Sequence, residues 1–164
     1  MSIWMVEKLI NRSQKKILSK GKKMLFDTSA WIRFYRKPTA DWKAIDYQTK
    51  DFIKDWLSKG KRVFTTPHII QEVLQGFPNE KDFIREKEFF SYYVLYELSD
   101  QRAAAWEAAQ IYRKCTKAGY RINKPFDILI ALTALKYDLP ILHRDRDFEL
   151  IARIYPLSIV NPLP

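Results

Sequence analysis

Three observations predict an α/β fold built on a mainly parallel sheet. Short apolar runs alternate with helical stretches from Met24 onward. The segment FDILIALTAL, which begins at Phe126, is apolar on nearly every side of a helix and must be buried beside a sheet. Acidic residues stand repeatedly where an apolar run meets a helix, and in parallel sheets those junctions share one edge.

Strands are expected near 24–26, 62–65, 93–98, 140–143 and 157–160. Their order in space does not follow from the pattern. The helices carry clearer punctuation. Thr66 can cap a helix opening at Pro67, and Gly76 stands where it would close that helix in a left-handed turn. Gly60 and Gly119 punctuate two further helices in the same way. The run from Asp100 to Ala118, rich in alanine and long side chains, predicts a helix ending at Gly119. A second long helix is expected from Asp41 to Lys59, with Phe52 and Trp56 on its inner face. Together these helices would cover both faces of the sheet.

The 164 residues fit one domain, and 47% apolar with 15% aromatic residues is enough for a real core. The single cysteine, Cys115, cannot close a disulfide within the chain, which suits a reducing compartment and makes the cytoplasm the expected location. No apolar run reaches the roughly 20 residues needed to span a bilayer, and the opening residues lack a secretory core, so no stable membrane association is expected.

A net charge of +10 favours an anionic partner. The charge is uneven: residues 1–23 hold seven basic residues and one acid, leaving 22 basic and 18 acidic residues in the remainder. That basic segment reads as an amphipathic helix with Ile3, Val6, Ile10 and Ile17 near helical spacing. Three readings of it stay open: a solvated or loosely docked extension, a stretch ahead of a true start at Met24, and a contact with RNA or a membrane surface. The domain itself is expected over 24–164.

Four acids recur in order: Asp27, Glu72, Asp127 and Asp145. Asp27 and Asp145 end expected strands, and Asp127 begins the buried helix. Glu72 lies six residues after Thr66, about 9 Å along a helix axis, bordering the apolar arc of Ile69, Ile70, Val73 and Leu74. Singly, each acid has an ordinary explanation: helix capping or dipole contact for the aspartates, solvation for the glutamate. Gathered at one edge they would repel and raise one another's pKa values unless a cation joined them. Oxygen-only ligands favour Mg²⁺ or Mn²⁺, whereas a zinc site is poorly served by two histidines, His68 and His143, and one cysteine. Such a cluster suggests a nuclease. A haloacid-dehalogenase-type phosphatase is disfavoured, because Ser29 stands where a second aspartate is required.

These residues carry a resemblance to the PIN-domain family, and within it to the VapC-type ribonuclease toxins of toxin–antitoxin pairs. LFDTSAWIRFYR aligns Asp27 with the family's first acid and Thr28 or Ser29 with the following hydroxyl; TTPHIIQEVLQG aligns Glu72 with its glutamate. FDILIALTAL and LPILHRDRDFELIA align Asp127 and Asp145 with the third and fourth acids, with Asp147 close by. The resemblance spans 24–164. It departs from the pattern at His143, where many relatives have threonine or serine, leaving open whether His143 orients a water or packs at a strand end. Asp147 likewise either contacts metal through water or accepts bonds from nearby backbone.

The resemblance implies a three-layer α/β/α PIN-like domain and a Mg²⁺- or Mn²⁺-dependent endoribonuclease. Asp27, Glu72, Asp127 and Asp145 would be catalytic and would hold metal, with Asp147 in support. Hydrolysis by an activated water would leave 5′-phosphate and 3′-hydroxyl ends. It further implies a cognate antitoxin and a homodimer. Arg33, Arg36, Lys37, Arg144 and Arg146 are candidates either to draw in RNA at the rim or to be ordinary solvated side chains, and Trp31, Phe34 and Tyr35 are candidates for base stacking, core or an interface. The alternative is a noncatalytic PIN-like RNA-binding or ribosome-associated protein.

Overall fold

The computed structural model describes residues 23–162, so the basic segment expected over 1–23 lies outside the described residues except for Lys23. Five strands form one sheet: β1 (Lys23–Phe26), β2 (Arg62–Thr65), β3 (Val94–Leu95), β4 (Ile141–Leu142) and β5 (Ile159–Val160). Seven helices are described: α1 (Thr28–Tyr35), α2 (Ala44–Ser58), α3 (Pro67–Leu74), α4 (Glu80–Ser91), α5 (Gln101–Lys117), α6 (Pro125–Tyr137) and α7 (Arg146–Ala152). The layers match the expected α/β/α arrangement.

Every strand pair is parallel, in the order β3-β2-β1-β4-β5. Central β1 aligns Met24 with Val63 on one side and Leu25 with Ile141 on the other. Its apolar residues Met24, Leu25 and Phe26 are all buried, as a strand covered on both faces requires. The chain moves outward from β1 through β2 to β3, then returns to β4 on the opposite side of β1. That reversal makes the carboxyl ends of β1 and β4 the switch point, where open parallel sheets form a crevice.

Helix α6 explains its own composition. Ile128, Ile130, Ala131, Leu132, Thr133 and Ala134 are all buried, and the helix packs on α3, α5 and α7. On another flank α1 packs on α2 and α3. Trp31 of α1 is fully buried, with ring centroids 5.4 Å from Phe26, 5.2 Å from Phe90 and 5.6 Å from Tyr93. Phe34 and Tyr35 join the same aromatic group, Tyr35 meeting Phe77 at 5.1 Å. Core packing is therefore the role of this trio, and base stacking by Trp31 is ruled out.

Several boundaries shift. The expected strand at 93–98 is only Val94–Leu95, an exposed edge, and a short edge strand offers little template for unwanted pairing. The strand ends at 140–143 and 157–160 shorten similarly. Helix α2 starts at Ala44, where the Asp46 carboxylate reaches back to accept from the Lys43 amide at 2.9 Å. Gly76 does not take the left-handed turn: Gln75 stays right-handed, and the Gly76 and Phe77 amides donate to Val73 and Leu74 in a tightened last turn. Among the described glycines, positive φ occurs at Gly60 and Gly119, which close α2 and α5 as expected. Helix α4 had no counterpart in the sequence reading; Asn79 caps it, accepting from the Lys81 and Asp82 amides. No described helix is long and apolar enough to cross a membrane.

Leu142 is fully buried where β4 meets β1. Leu142→Ala should lower unfolding free energy by about 2–5 kcal/mol, read as an earlier denaturant midpoint with unchanged slope.

Candidate active site

Asp27 ends β1 and caps α1. Its Oδ2 accepts from the Ser29 amide at 2.8 Å and the Ser29 hydroxyl at 2.5 Å. Ser29 Oγ in turn accepts from the Arg144 amide at 2.8 Å, tying the loop after β1 to the loop after β4 across the switch point. Thr28 Oγ1 donates to Glu72 Oε2 at 2.6 Å, which brings the α3 glutamate to the same edge. Both hydroxyls expected after the first acid therefore have work, Ser29 on Asp27 and Thr28 on Glu72.

Asp127 is the third residue of α6, within the first turn where unpaired amides favour negative charge. Asp145 caps α7, its Oδ1 accepting from the Asp147 amide at 3.1 Å. Asp147 Oδ2 accepts from the amides of Asn123 and Lys124 at 2.7 and 3.1 Å, so it fastens the segment leading into α6. The backbone-acceptor role foreseen for Asp147 is thus occupied. Carboxylate oxygens of Asp127, Asp145 and Asp147 lie within 4.8 Å of one another, the metal-compatible group found among the described residues. Asp27 and Glu72 both stand outside that trio, Glu72 interacting electrostatically with Asp27 and Asp27 with Asp127.

Burial dominates the charge balance. It pushes the Asp27 carboxyl up to about 6 against the hydrogen bonds from Ser29, and Glu72 adds to the push. Burial, then the charges of Asp27 and Asp145, push Asp127 up to about 8. Asp145 goes the other way: its own burial is outweighed by Lys124 and the Asp147 amide, which hold it below the usual carboxylate range. Lys124 Nζ pairs directly with Asp145 Oδ2, and that bond raises the lysine's own pKa against burial.

A hard divalent cation fits this donor set. Asp27 Oδ1 and Asp127 Oδ2 are buried with no hydrogen-bond partner among the described residues, and buried acceptors left unpaired are costly. All the candidate donors are carboxylate oxygens, as Mg²⁺ or Mn²⁺ prefers.

His143 is buried, packs against Phe148 with ring centroids 5.0 Å apart and planes tilted by 46°, and accepts from the Asp145 amide at 3.2 Å. It packs at the strand end and steadies the fourth acid. Burial lowers its pKa, and Nε2 lies 3.5 Å from Glu149, too far for a good hydrogen bond, so the neutral ring is the state at pH 7.

Two arginines of the rim are held by an acid that sequence reasoning missed. Asp46 Oδ1 is 2.8 Å from Arg33 Nε and 3.5 Å from Arg144 Nε. Its burial would raise its pKa, but the Lys43 amide and the two guanidinium groups win and lower it. Arg146 is exposed beside the trio. Arg36 and Lys37 lie past the far end of α1, about 12 Å along the axis from Asp27, and are not part of this rim. Lys124 also escaped the sequence reading; its only local signal is a cation just ahead of Pro125 and the acid-bearing turn.

The PIN-domain model matches residues 24–154. The chain belongs to the PIN-domain family. Relatives within it include a VapC ribonuclease, Mb1587, of Mycobacterium bovis and ribonuclease VapC11 of Mycobacterium tuberculosis. Each is 30% identical over 140 residues, covering 84% of this chain and 98% of the relative. The fold is shared with a toxin–antitoxin complex from Klebsiella pneumoniae (TM-score 0.60, 19% identity, 85% of this chain and 98% of that chain). It is shared also with FitAB bound to an IR36 DNA fragment (TM-score 0.61, 17% identity, 85% and 94%).

The raised carboxyls set a pH dependence for the metal-free protein. Between about pH 4 and pH 8 the unfolded chain has released protons that the folded Asp127 and Asp27 still hold, so stability falls as pH rises through this window. Thermal midpoints in chelator should drop from pH 5 to pH 8, and Asp127→Asn should flatten that decline. A wild-type slope unchanged in the variant would contradict the assignment.

Proposed function

We propose that this PIN domain is a divalent-metal-dependent endoribonuclease and the toxin of a VapBC-type toxin–antitoxin pair. The observation that carries the reading is the pair of buried, unpartnered carboxylate oxygens on Asp27 and Asp127 beside the Asp145–Asp147 group. Family membership and the ribonuclease relatives point the same way.

Asp27, Asp127 and Asp145 would hold Mg²⁺ or Mn²⁺, with Glu72 and Asp147 completing the acidic surround. The ion, when bound, supplies Lewis acidity and lowers the pKa of water. Asp27 is kept in place by Ser29, Glu72 by Thr28, and Asp145 by the backbone of α7. An RNA phosphodiester entering this edge would meet Lys124 and Arg146, whose charge offsets repulsion from the acids. Water would form the new bond to phosphorus as the bond to the 3′ oxygen breaks, leaving a 5′-phosphate and a protonated 3′-hydroxyl. The neighbouring solved complexes make an antitoxin the natural protein partner. Homodimer formation and a cytoplasmic location belong to the same proposal.

New 5′ ends mapped across cellular RNA after brief induction test this directly. A few sharp phosphorylated ends are expected from the wild-type chain, with at least about a hundredfold fewer from Asp127→Asn, on the scale of losing a main electrostatic contribution. Identical maps from two soluble, antitoxin-free proteins would overturn the catalytic reading in favour of noncatalytic RNA binding.

A further inference from the structure

The middle of α6 is buried from Asp127 to Ala134 apart from the half-buried Leu129, whereas Phe126 beside the third acid leaves 36% of its surface in water. Its ring faces His68 of α3, with centroids 4.9 Å apart and planes tilted by 46°. His68 stands four residues before Glu72, so both project from one face of α3. Phe126 directly precedes Asp127. The pair thus bridges the two helices that bring Glu72 and Asp127 to the edge. Lys124, two residues before Phe126, offers a cation alongside.

Phe126, set against the His68 imidazole, is exposed and lies outside the hydrophobic core. Beside carboxylates that would bind a phosphodiester through metal, it offers what a nucleobase seeks: a π-surface within one nucleotide's reach of the reacting phosphate. A base in a duplex cannot reach such a surface, because its faces are already stacked and its A-form grooves expose edges rather than planes. We infer that His68 and Phe126 form a stacking platform for an unpaired nucleobase next to the scissile phosphate. This rests on the ribonuclease reading.

The test uses the full chain carrying Asp145→Asn, to slow cleavage, in Mg²⁺. The probes are a 12-nucleotide single-stranded RNA with a central 2-aminopurine and a hairpin holding the same base in a paired stem. The single strand should be quenched on binding, and the hairpin bound markedly less well. Phe126→Leu and His68→Ala should each reduce the quench and weaken binding by about 10- to 100-fold, whereas Phe126→Tyr should preserve both. Unchanged quench and affinity in Phe126→Leu, or equal binding of the hairpin, would overturn the platform. Total-RNA cleavage by the otherwise wild-type chain, run in parallel, separates the two ideas. Robust cleavage with no platform effect leaves the nuclease standing and removes the platform, while quench without cleavage keeps the platform on a noncatalytic RNA-binding protein.

Discussion

Carboxylates buried side by side are the constraint on which this architecture turns. Asp27 and Asp127 are almost wholly removed from water, come from elements a hundred residues apart in sequence, and repel one another. Such an arrangement is unfavourable for folding unless protons or a cation neutralise it. The raised carboxyls record the first solution, and the unpartnered oxygens leave room for the second.

The surrounding structure keeps the acids from escaping. Each is fixed by short-range geometry: Asp27 and Asp145 by capping the helices they precede, Asp127 by its place in the first turn of α6. Longer connections then lock the pieces together. Ser29 joins the two loops at the switch point, Asp147 clasps the entry to α6, and Asp46 restrains Arg33 and Arg144. Burial of α6 on three neighbouring helices gives its first turn little freedom to move its carboxylate away. Cations at the rim, Lys124 foremost, moderate a field that would otherwise repel any phosphate.

The parts of this design legible in the sequence are those governed by local pattern. The apolar run before Asp27 could only be a buried strand, and FDILIALTAL could only be a buried helix. Once both were placed in a parallel sheet, the edge shared by the acids followed. What stayed hidden depends on distant partners. Lys124 meets an acid 21 residues later, and Arg33 meets Asp46 13 residues away; no periodicity announces either pair. Helix α4 was obscured because EKDFIREKEFFS looks like a solvated charged stretch, although Glu86 is fully buried beside Arg85. For Trp31 the sequence left base stacking, core and interface open, and its fully buried ring settles the matter in favour of core. Phe126, inside a run that reads as entirely buried, is the aromatic left at the surface.

Calorimetric titration of Mg²⁺ and Mn²⁺ into the full chain at pH 7, repeated in buffers of differing ionisation enthalpy, addresses the central claim most directly. If the buried acids exchange protons for a cation, binding should release a measurable fraction of a proton up to about one per ion, because ligands must ionise to coordinate. The release should shrink by pH 9, once Asp127 has already ionised, and both release and affinity should fall in Asp127→Asn. Absence of binding at millimolar metal, or binding with no proton release and no sensitivity to Asp127, would contradict the account.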